Sequence, residues 1–495
     1  MTRICVAVCE KTVAALESAA VRASESADVV ELRVDCLGAV EDLQRVLDRL
    51  SRPVILTFRP SQQGGHRELD HEARQSFWKT AARTEWWDLE ADLASEVVLA
   101  THADWSNVIV SHHDFSGVPK DLTKVYERLA ATPARVLKIA VHADDIVDCI
   151  PVFQLLDRAR TEGRHLIAIA MGNAGLPTRI LGPSRGSFLT YAALAEERAT
   201  APGQITTQKL RSVYHVDTID QETMICGLVG LPVMHSVSPH MHNAVFRAAG
   251  INGVYLPLEV RDVQSFFKRM VHPRTREIEW KLRGLSVTAP HKSKVLESLD
   301  WIEPDAKQIG AVNTVVVDND KLRGFNTDAS GFIEPLLKVM GSLRGLRSAV
   351  IGAGGAARAA TWALLKNEAN VTIFARNVEK AHALGKEFDV SYASLSDASY
   401  AGYDLVINAT PLGSGESIDQ APATAEQLAG AGCVYDLVYN PIETRLLKEA
   451  CKADCKTVRG LEMLVAQAKN QFELWTGQSP SSTEMYESAA AALGH

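Results

Sequence analysis

No uninterrupted apolar run in the 495 residues is long enough to cross a bilayer, so no spanning segment is expected. An excess of basic residues is also missing. The formal net charge of −8 argues against a nucleic-acid-binding role, which usually shows a basic patch. The eight cysteines form no CxxC pair. Cys451 and Cys455 stand one helical turn apart, a spacing that suits packing or exposure better than a metal. Scattered cysteines point to reduced thiols and a cytoplasmic setting. The N-terminus, Met1-Thr2-Arg3-Ile4-Cys5-Val6, passes straight into a strand-like run, so no signal peptide is expected. What remains is ordinary globular composition, 46% apolar and 23% charged, on a chain too long for a single core.

The chain turns at a seam, residues 200–231. Thr200-Ala201-Pro202-Gly203-Gln204 reads as a mobile polar loop, and Ile225-Cys226-Gly227-Leu228-Val229-Gly230 as the first buried strand of a new domain. The interval 206–223 reads as a last strand plus linker.

Before the seam, β-branched apolar runs alternate with helical periods. The runs are 4–9, 29–35, 54–59, 86–90, 108–114, 136–141, 166–171 and 204–208. Helical stretches fall at 12–27, 40–50, 71–82, 122–131 and 146–161. Eight such repeats in about 210 residues suggest a (β/α)8 barrel, whose chemistry sits at the C-terminal strand ends. The polar residues that fall there are Glu31, Arg33, Arg59, Glu90, His113 and Lys138, with Arg179 in the loop after the seventh strand. Lys138 lies inside Val136-Leu137-Lys138-Ile139-Ala140, apolar on both sides. Desolvation there disfavours the ammonium and favours an amine able to form an imine with a ketone; the alternative is a lysine that snorkels to solvent. Ser111-His112-His113-Asp114-Phe115 offers a general base or a structural histidine. Adjacent strand residues face opposite ways, which argues against a metal on both histidines.

Taken together with Glu31-Leu32-Arg33-Val34-Asp35, Thr57-Phe58-Arg59-Pro60, Asp88-Leu89-Glu90, Met171-Gly172, Gly186-Ser187-Phe188 and Ala201-Pro202-Gly203-Gln204, this half resembles type I 3-dehydroquinate dehydratase. The resemblance implies a Schiff base between Lys138 and the substrate's C3 ketone. It implies His113 as the acid–base residue, with Glu90 orienting it. Glu31, Arg33 and Arg59 would hold ring hydroxyls and Arg179 the carboxylate. Thr200 and Gln204 would close as a lid. His112 departs from the aromatic residue that many relatives carry.

After the seam, His235-Ser236-Val237-Ser238-Pro239 opens a helix, with serine at the cap and proline at the first position. Two serines at a helix N-terminus suit a carboxylate. His235, His240 and His242 have neither shared-face spacing nor accompanying carboxylates for a metal, and none is expected anywhere in the chain. Strands are read at 253–258, 282–287, 312–318 and 321–325. The loops that follow carry Lys292 and Asp328, either an acid–base pair or a surface salt bridge. Ser348-Ala349-Val350-Ile351 then runs into Gly352-Ala353-Gly354-Gly355-Ala356-Ala357-Arg358 and a helix, the context of a dinucleotide fingerprint. The next strand, 370–375, is followed not by an acid but by Arg376, Asn377 and Lys380, which favours the 2′-phosphate of NADP. Asn408-Ala409-Thr410-Pro411 ends a further strand where the cofactor would lie, and strand 433–438 follows. Helices 461–476 and 483–493 would complete the core.

With Gly310-Ala311-Val312-Asn313-Thr314, Tyr435-Asp436-Leu437-Val438-Tyr439-Asn440-Pro441 and Gly460 with Gln467, this half resembles shikimate dehydrogenase. By that resemblance Ser236 and Ser238 hold a carboxylate. Thr288, Asn313, Tyr439 and Gln467 line the ring, and Lys292 and Asp328 are the catalytic pair. Gly352, Ala353, Gly354, Gly355, Ala356, Ala357, Arg376, Asn377, Lys380, Asn408 and Thr410 are expected around NADP(H). Ser286 stands where many bacterial relatives have asparagine. The expected divisions are 1–215 (barrel), 222–335 (substrate-binding), 336–460 (NADP-binding Rossmann) and 461–495 (closing helices).

The two resemblances are to consecutive reactions, dehydration of 3-dehydroquinate and reduction of 3-dehydroshikimate to shikimate. Tethering raises local concentration to a degree set by site separation. Alternatives are an NAD-dependent quinate/shikimate enzyme in the second half, a non-catalytic metabolite-sensing repressor-like protein, and a structural module. All four of Lys138, His113, Lys292 and Asp328 are present, against the sensor. The partners implied are small-molecule substrates, not nucleic acid or membrane; nothing in the sequence fixes the oligomeric state.

Overall fold

The computed structural model describes residues 2–39, 43–101, 104–396 and 398–494. The chain divides into two compact units. The first holds Met1–Ile225 with Gly230–Met234 and Asn252–Leu282, and the second the remainder.

The first unit contains eight parallel strands. They are β1 (Ile4–Val8), β2 (Val29–Arg33), β3 (Val54–Thr57), β4 (Trp86–Glu90), β5 (Val108–Asp114), β6 (Val136–His142), β7 (His165–Met171) and β8 (Thr190–Ala192). Their order, β7-β6-β5-β4-β3-β2-β1-β8, is that of a barrel, closed by a bridge between Leu166 and Ser187. The helices Val13–Ser26, His71–Thr80, Leu122–Ala130 and Cys149–Thr161 fall where the 3.6 period expects them. For the stretch read at 40–50, the structure gives helix Leu43–Leu47; residues 40–42 lie outside the described residues.

Two expectations are corrected here. The eighth strand is Thr190–Ala192, not 204–208. Thr206 caps the helix Thr207–Ser212, its side chain accepting from Lys209 N, so the chain leaves the extended conformation there. The interval 206–223 therefore holds a helix and a 3-10 turn (Val216–Thr218), with only the isolated bridge Ala193–Thr206 left of the expected strand. Second, the cysteines are not all reduced: Cys9 and Cys36 are joined by a disulfide, while six others are free. Strand ends 27 residues apart in sequence become neighbours because β1 and β2 pair in parallel.

The remaining strands form two six-stranded sheets. The first comprises β9 (Met224–Gly230), β10 (Gly253–Glu259), β11 (Leu282–Val287), β12 (Trp301–Ile302), β13 (Thr314–Asp318) and β14 (Lys321–Phe325), ordered β10-β9-β11-β13-β14-β12. The second comprises β15 (Arg347–Ile351), β16 (Asn370–Ala375), β17 (Ser391–Ser394), β18 (Leu405–Asn408), β19 (Cys433–Asp436) and β20 (Lys456–Val458), all parallel in the order β17-β16-β15-β18-β19-β20. That is a doubly wound sheet with its switch point between β15 and β18, where ligands of such sheets bind. Among the described residues no helix is long and apolar enough to cross a membrane.

Candidate functional sites

Side chains alternate along each strand, so one face of every barrel strand points inward. The even strands contribute Glu31 (β2), Asp88 (β4), Lys138 (β6) and Tyr191 (β8). Barrel interiors are built in layers of four from alternate strands, and this layer is polar. Lys138 Nζ donates to Asp88 Oδ2 at 2.7 Å and Tyr191 Oη at 2.8 Å, and lies 3.5 Å from Glu31 Oε2. The odd strands supply Cys5, Ile55, Ile109 and Ile167 to an apolar cluster in the same interior. Lys138 does not snorkel; it is buried.

Around it lie the other expected residues. Arg59 forms an ion pair with Asp88 at 2.7 Å and meets His113 Nε2 at 2.7 Å. Arginine only donates, so that nitrogen is the imidazole's lone pair and His113 is neutral. Burial, then the charges of Arg59 and Lys138, hold its pKa well below 6.5. Arg33 is gripped by Asp35 through two hydrogen bonds, 2.9 and 2.8 Å. Thr57 Oγ1 donates to Glu31 at 2.7 Å. Burial opposes ionisation of Asp88 and Glu31, yet the facing cations hold both carboxyls below their usual range.

Arg179, on helix Leu176–Leu181, is buried with its Nη2 donating to the Pro202 carbonyl at 3.1 Å. Among the described residues no carboxylate pairs with it, and burial pushes its guanidinium down to about 10. A buried cation without a counter-charge is a receptor for an anion. Thr200 N donates to Gln204 Oε1 at 2.8 Å, and the loop rests on Gly172, whose N donates to Pro202 O at 3.1 Å. Glu31, Arg33, Arg59, His113, Lys138, Arg179, Thr200 and Gln204 all line one pocket.

Glu90 is the exception. It makes no hydrogen bond to His113; its Oε2 takes Arg74 Nη1 at 3.2 Å, and Arg59 lies 3.9 Å from Oε1. Burial and the Asp88 charge outweigh both arginines and raise its pKa from 4.5 to about 7. Residues missed from sequence were Asp88, Tyr191, Asp35 and Arg74. Asp88 stands two before Glu90 on the same strand face, and that spacing could have found it.

In the second unit, Lys292 Nζ donates to Asp328 Oδ2 at 2.6 Å. Asn313 Nδ2 donates to Asp328 Oδ1 at 2.8 Å, and its Oδ1 accepts from Thr327 N at 2.8 Å. Asn313 thereby aims the carboxylate while holding the start of helix Thr327–Met340. Ser236 Oγ donates to Ser238 Oγ at 3.1 Å and accepts from Ser238 N at 3.2 Å, at the start of helix Ser238–Ala248. Thr288 is fixed by its N donating to Val229 O at 2.8 Å. Tyr439 is half-buried. Gln467 packs its backbone on Gly331 and donates to its own helix at Leu464 O, 2.9 Å. Gln471, one turn on and unforeseen, is the bridging residue: it accepts from Ser286 Oγ at 2.8 Å and donates to Thr314 Oγ1 at 3.1 Å.

The glycine turn follows β15 as expected. Gly352 has φ +125°, and a Cβ there would stand 2.9 Å from Ala409 O. Gly354 and Gly355, opening helix Gly355–Lys366, face open space, and a helix N-terminus of that kind suits a phosphate group. Ala353 is half-buried, Ala356 exposed and Ala357 packed inside. Arg376 and Lys380 are exposed beyond β16, free of carboxylate ion pairs among the described residues; Asn377 caps the next helix, accepting from Lys380 N at 2.9 Å. Asn408 is buried, joining β18 to β19 through Asp436 at 2.8 Å and holding Thr410 Oγ1 at 2.6 Å.

A lysine buried in a barrel's polar layer beside a neutral histidine suits the chemistry of an imine-forming lyase; a glycine turn opening a helix of a doubly wound sheet, in one unit with a Lys–Asp pair, suits that of a dinucleotide-dependent oxidoreductase. Sequence comparisons agree. The type I 3-dehydroquinase family matches residues 4–221. The shikimate dehydrogenase substrate binding domain matches 228–315, shikimate / quinate 5-dehydrogenase 335–427, and the shikimate 5'-dehydrogenase C-terminal domain 460–489. The chain is 34% identical to the bifunctional 3-dehydroquinate dehydratase/shikimate dehydrogenase, chloroplastic, of Arabidopsis thaliana, over 93% of this chain and 79% of that protein. It is 40% identical to shikimate dehydrogenase (NADP(+)) of Methanocaldococcus jannaschii, over 53% of this chain and 95% of that one. A shikimate dehydrogenase crystallised with NADP+ matches at 38% identity and TM-score 0.52, covering 55% of this chain and 96% of its own. Quinate dehydrogenase from Corynebacterium glutamicum with NAD matches at 30% and 0.50, covering 54% and 99%. The chain belongs to the bifunctional 3-dehydroquinate dehydratase/shikimate dehydrogenase family.

Two predictions follow from this geometry. Gly203 has φ +72°, and a Cβ there would stand 2.1 Å from Gly172 O. Gly203→Ala is therefore expected to hold the 200–204 loop off the pocket and raise the dehydratase KM about tenfold or more, leaving the reductase unchanged. Steady-state kinetics of both half-reactions check this; an unaltered KM would show that the loop does not need the close approach. Glu90, with its carboxyl raised to about 7, contributes stability that is full below pH 4.5 and lost as pH rises through 7. Glutamine cannot ionise, so the stability of Glu90→Gln relative to the parent should shift in the variant's favour by about 3 kcal/mol between pH 4.5 and about pH 8. Denaturant titrations at the two pH values test it, and a pH-independent difference would refute the assignment.

Proposed function

We propose that the barrel dehydrates 3-dehydroquinate to 3-dehydroshikimate and that the second half reduces this to shikimate with NADPH. The carrying observation is Lys138, buried between Asp88, Tyr191 and Glu31 with neutral His113, Arg33, Arg59 and Arg179 on the same pocket wall. In this reading the substrate carboxylate supplies the counter-charge Arg179 lacks. Arg33, Arg59 and Glu31 hold ring hydroxyls, and Thr200 and Gln204 close over them. Lys138 condenses with the C3 ketone: a C–N bond forms, two of its ammonium protons leave with the carbonyl oxygen as water, and an iminium remains. His113 takes the C2 proton that the iminium acidifies and returns it to the departing C1 hydroxyl, which leaves as water. Hydrolysis then frees the lysine. Glu90 acts on His113 through Arg59, which touches both, rather than by direct contact.

In the second half Ser236 and Ser238 bind the carboxylate of 3-dehydroshikimate, and Thr288, Asn313, Tyr439 and Gln467 line its ring. Lys292 and Asp328 deliver a proton to the C3 oxygen as it is reduced. Bound NADPH supplies the hydride. The turn 352–357 would hold its pyrophosphate, with Asn408 and Thr410 shaping the neighbouring strand end. Arg376 and Lys380 favour a 2′-phosphate, with Asn377 fixing the helix that carries Lys380. The divisions 1–215, 222–335, 336–460 and 461–495 belong to the same reading. So does a cytoplasmic setting, which rests on the six free cysteines and which recovery in a sealed organelle fraction would overturn.

Purified protein given 3-dehydroquinate and NADPH is expected to oxidise NADPH and form shikimate. Lys138→Ala should abolish this, and added 3-dehydroshikimate should restore it. No oxidation of NADPH or NADH even with 3-dehydroshikimate supplied would overturn the reductase assignment.

A further inference from the structure

We infer that Cys9 and Cys36 form a thiol–disulfide exchange site at the rim of the dehydratase pocket, with a small dithiol as reductant, whose oxidised form keeps Arg33 in its binding position. The inference rests on the proposed role of Arg33.

Cys9 directly follows β1, and Cys36 ends the 3-10 turn Val34–Cys36 that follows β2. The bridge therefore ties together the C-terminal ends of two adjacent barrel strands, on the face where the pocket opens. The same short turn carries Asp35. Its buried carboxylate grips Arg33 in a bidentate pair and accepts from His66 N at 3.1 Å. Arg33 Nη2 also donates to Gly64 O at 2.9 Å. Disulfide, counter-ion, arginine and the loop around 60–66 are thus one connected unit. Otherwise the turn is held by few bonds, among them Gly38 N to Lys11 O at 3.0 Å and Leu37 N to Val34 O at 3.2 Å. Opening the bridge removes the covalent restraint on Asp35, and Arg33 loses definition with it.

Both bridged cysteines are half-buried, within reach of a small reagent, whereas five of the six free cysteines are buried and only Cys451 is exposed. In the exchange, one dithiol sulfur attacks the bridge, breaking Sγ–Sγ and forming a mixed disulfide. The second sulfur displaces the protein sulfur, leaving an oxidised dithiol and two protein thiols. Two electrons pass to the bridge, and the two protons of the dithiol end on Cys9 and Cys36. A His66 ring nitrogen lies within 4.8 Å of both sulfurs. With the thiols free, these three make a ligand set for a soft divalent cation, so reduction must be done with a chelator present.

The test uses the full chain carrying Cys451→Ser, air-oxidised or reduced by dithiothreitol with EDTA. Alkylation and peptide mass mapping report the cysteines; kinetics report both half-reactions. Expected is protection of Cys9 and Cys36 in the oxidised protein and alkylation of both after reduction. The 3-dehydroquinate KM should rise about fivefold or more on reduction, with turnover of 3-dehydroshikimate unchanged and reoxidation restoring the lower KM. Cys9→Ser in air should show the reduced protein's KM. Alkylation of both cysteines in oxidised protein, or an unchanged KM after confirmed reduction, would overturn the inference. Absence of dehydratase turnover in both states would instead overturn the reading of Arg33 on which it rests.

Discussion

A lysine ammonium at the centre of a barrel cannot be left without partners, because burying an uncompensated charge costs several kcal/mol. Everything in the first half follows from how that requirement is met. Glu31, Asp88 and Tyr191 come from the other even strands, so the partners are fixed by the barrel's own layering and need no loop to place them. Asp88 is shared with Arg59, and Arg59 in turn meets the lone pair of His113. One carboxylate thus ties Lys138 and Arg59 together, and through Arg59 His113. The geometry is held by strands rather than loops, which suits a reaction whose proton transfers need sub-ångström placement. In the proposed reading the substrate brings the carboxylate for Arg179.

The second half solves a different problem with side chains that bond in several directions. Asn313 uses its carbonyl oxygen for Thr327 N and for Thr314 Oγ1, and its amide for Asp328. Gln471 reaches Thr314 and Ser286 from helix Gly460–Thr476. Gln471 therefore ties that helix to residues 157 and 185 positions earlier. Removing one such amide would take away several buried hydrogen bonds at once.

Much of this was legible in sequence. Alternation of short β-branched runs with helical periods marks the barrel, and the turn 352–357 between strand and helix marks the Rossmann half. The misplaced eighth strand shows where the signal fails. Thr190-Tyr191-Ala192 is only three residues long and sits inside a loop-rich stretch, whereas Gln204-Ile205-Thr206-Thr207 alternates convincingly until Thr206 turns to cap a helix. The short edge strands Trp301–Ile302, Ser391–Ser394 and Lys456–Val458 carry too few residues for any period to register. Partner choice is less legible still. The family resemblance pairs Glu90 with His113, but only packing reveals that Arg74 takes the carboxylate and that Arg59, not Glu90, meets the imidazole. The Cys9–Cys36 bridge escaped because parallel pairing of β1 with β2 is a tertiary fact.

The two halves also show how surroundings set what a lysine does. Lys138 is buried to about a twentieth of its exposure, faces two carboxylates and a phenol, and has His113 within the same pocket to manage protons. Lys292 keeps a third of its exposure, pairs with Asp328 alone at 2.6 Å, and has no second carboxylate to relieve it among the described ion pairs. The distinction lies in the number of acidic partners and in access to solvent, not in the residue type. In the proposed reading, that difference in surroundings lets one lysine serve as the nucleophile and the other in proton delivery.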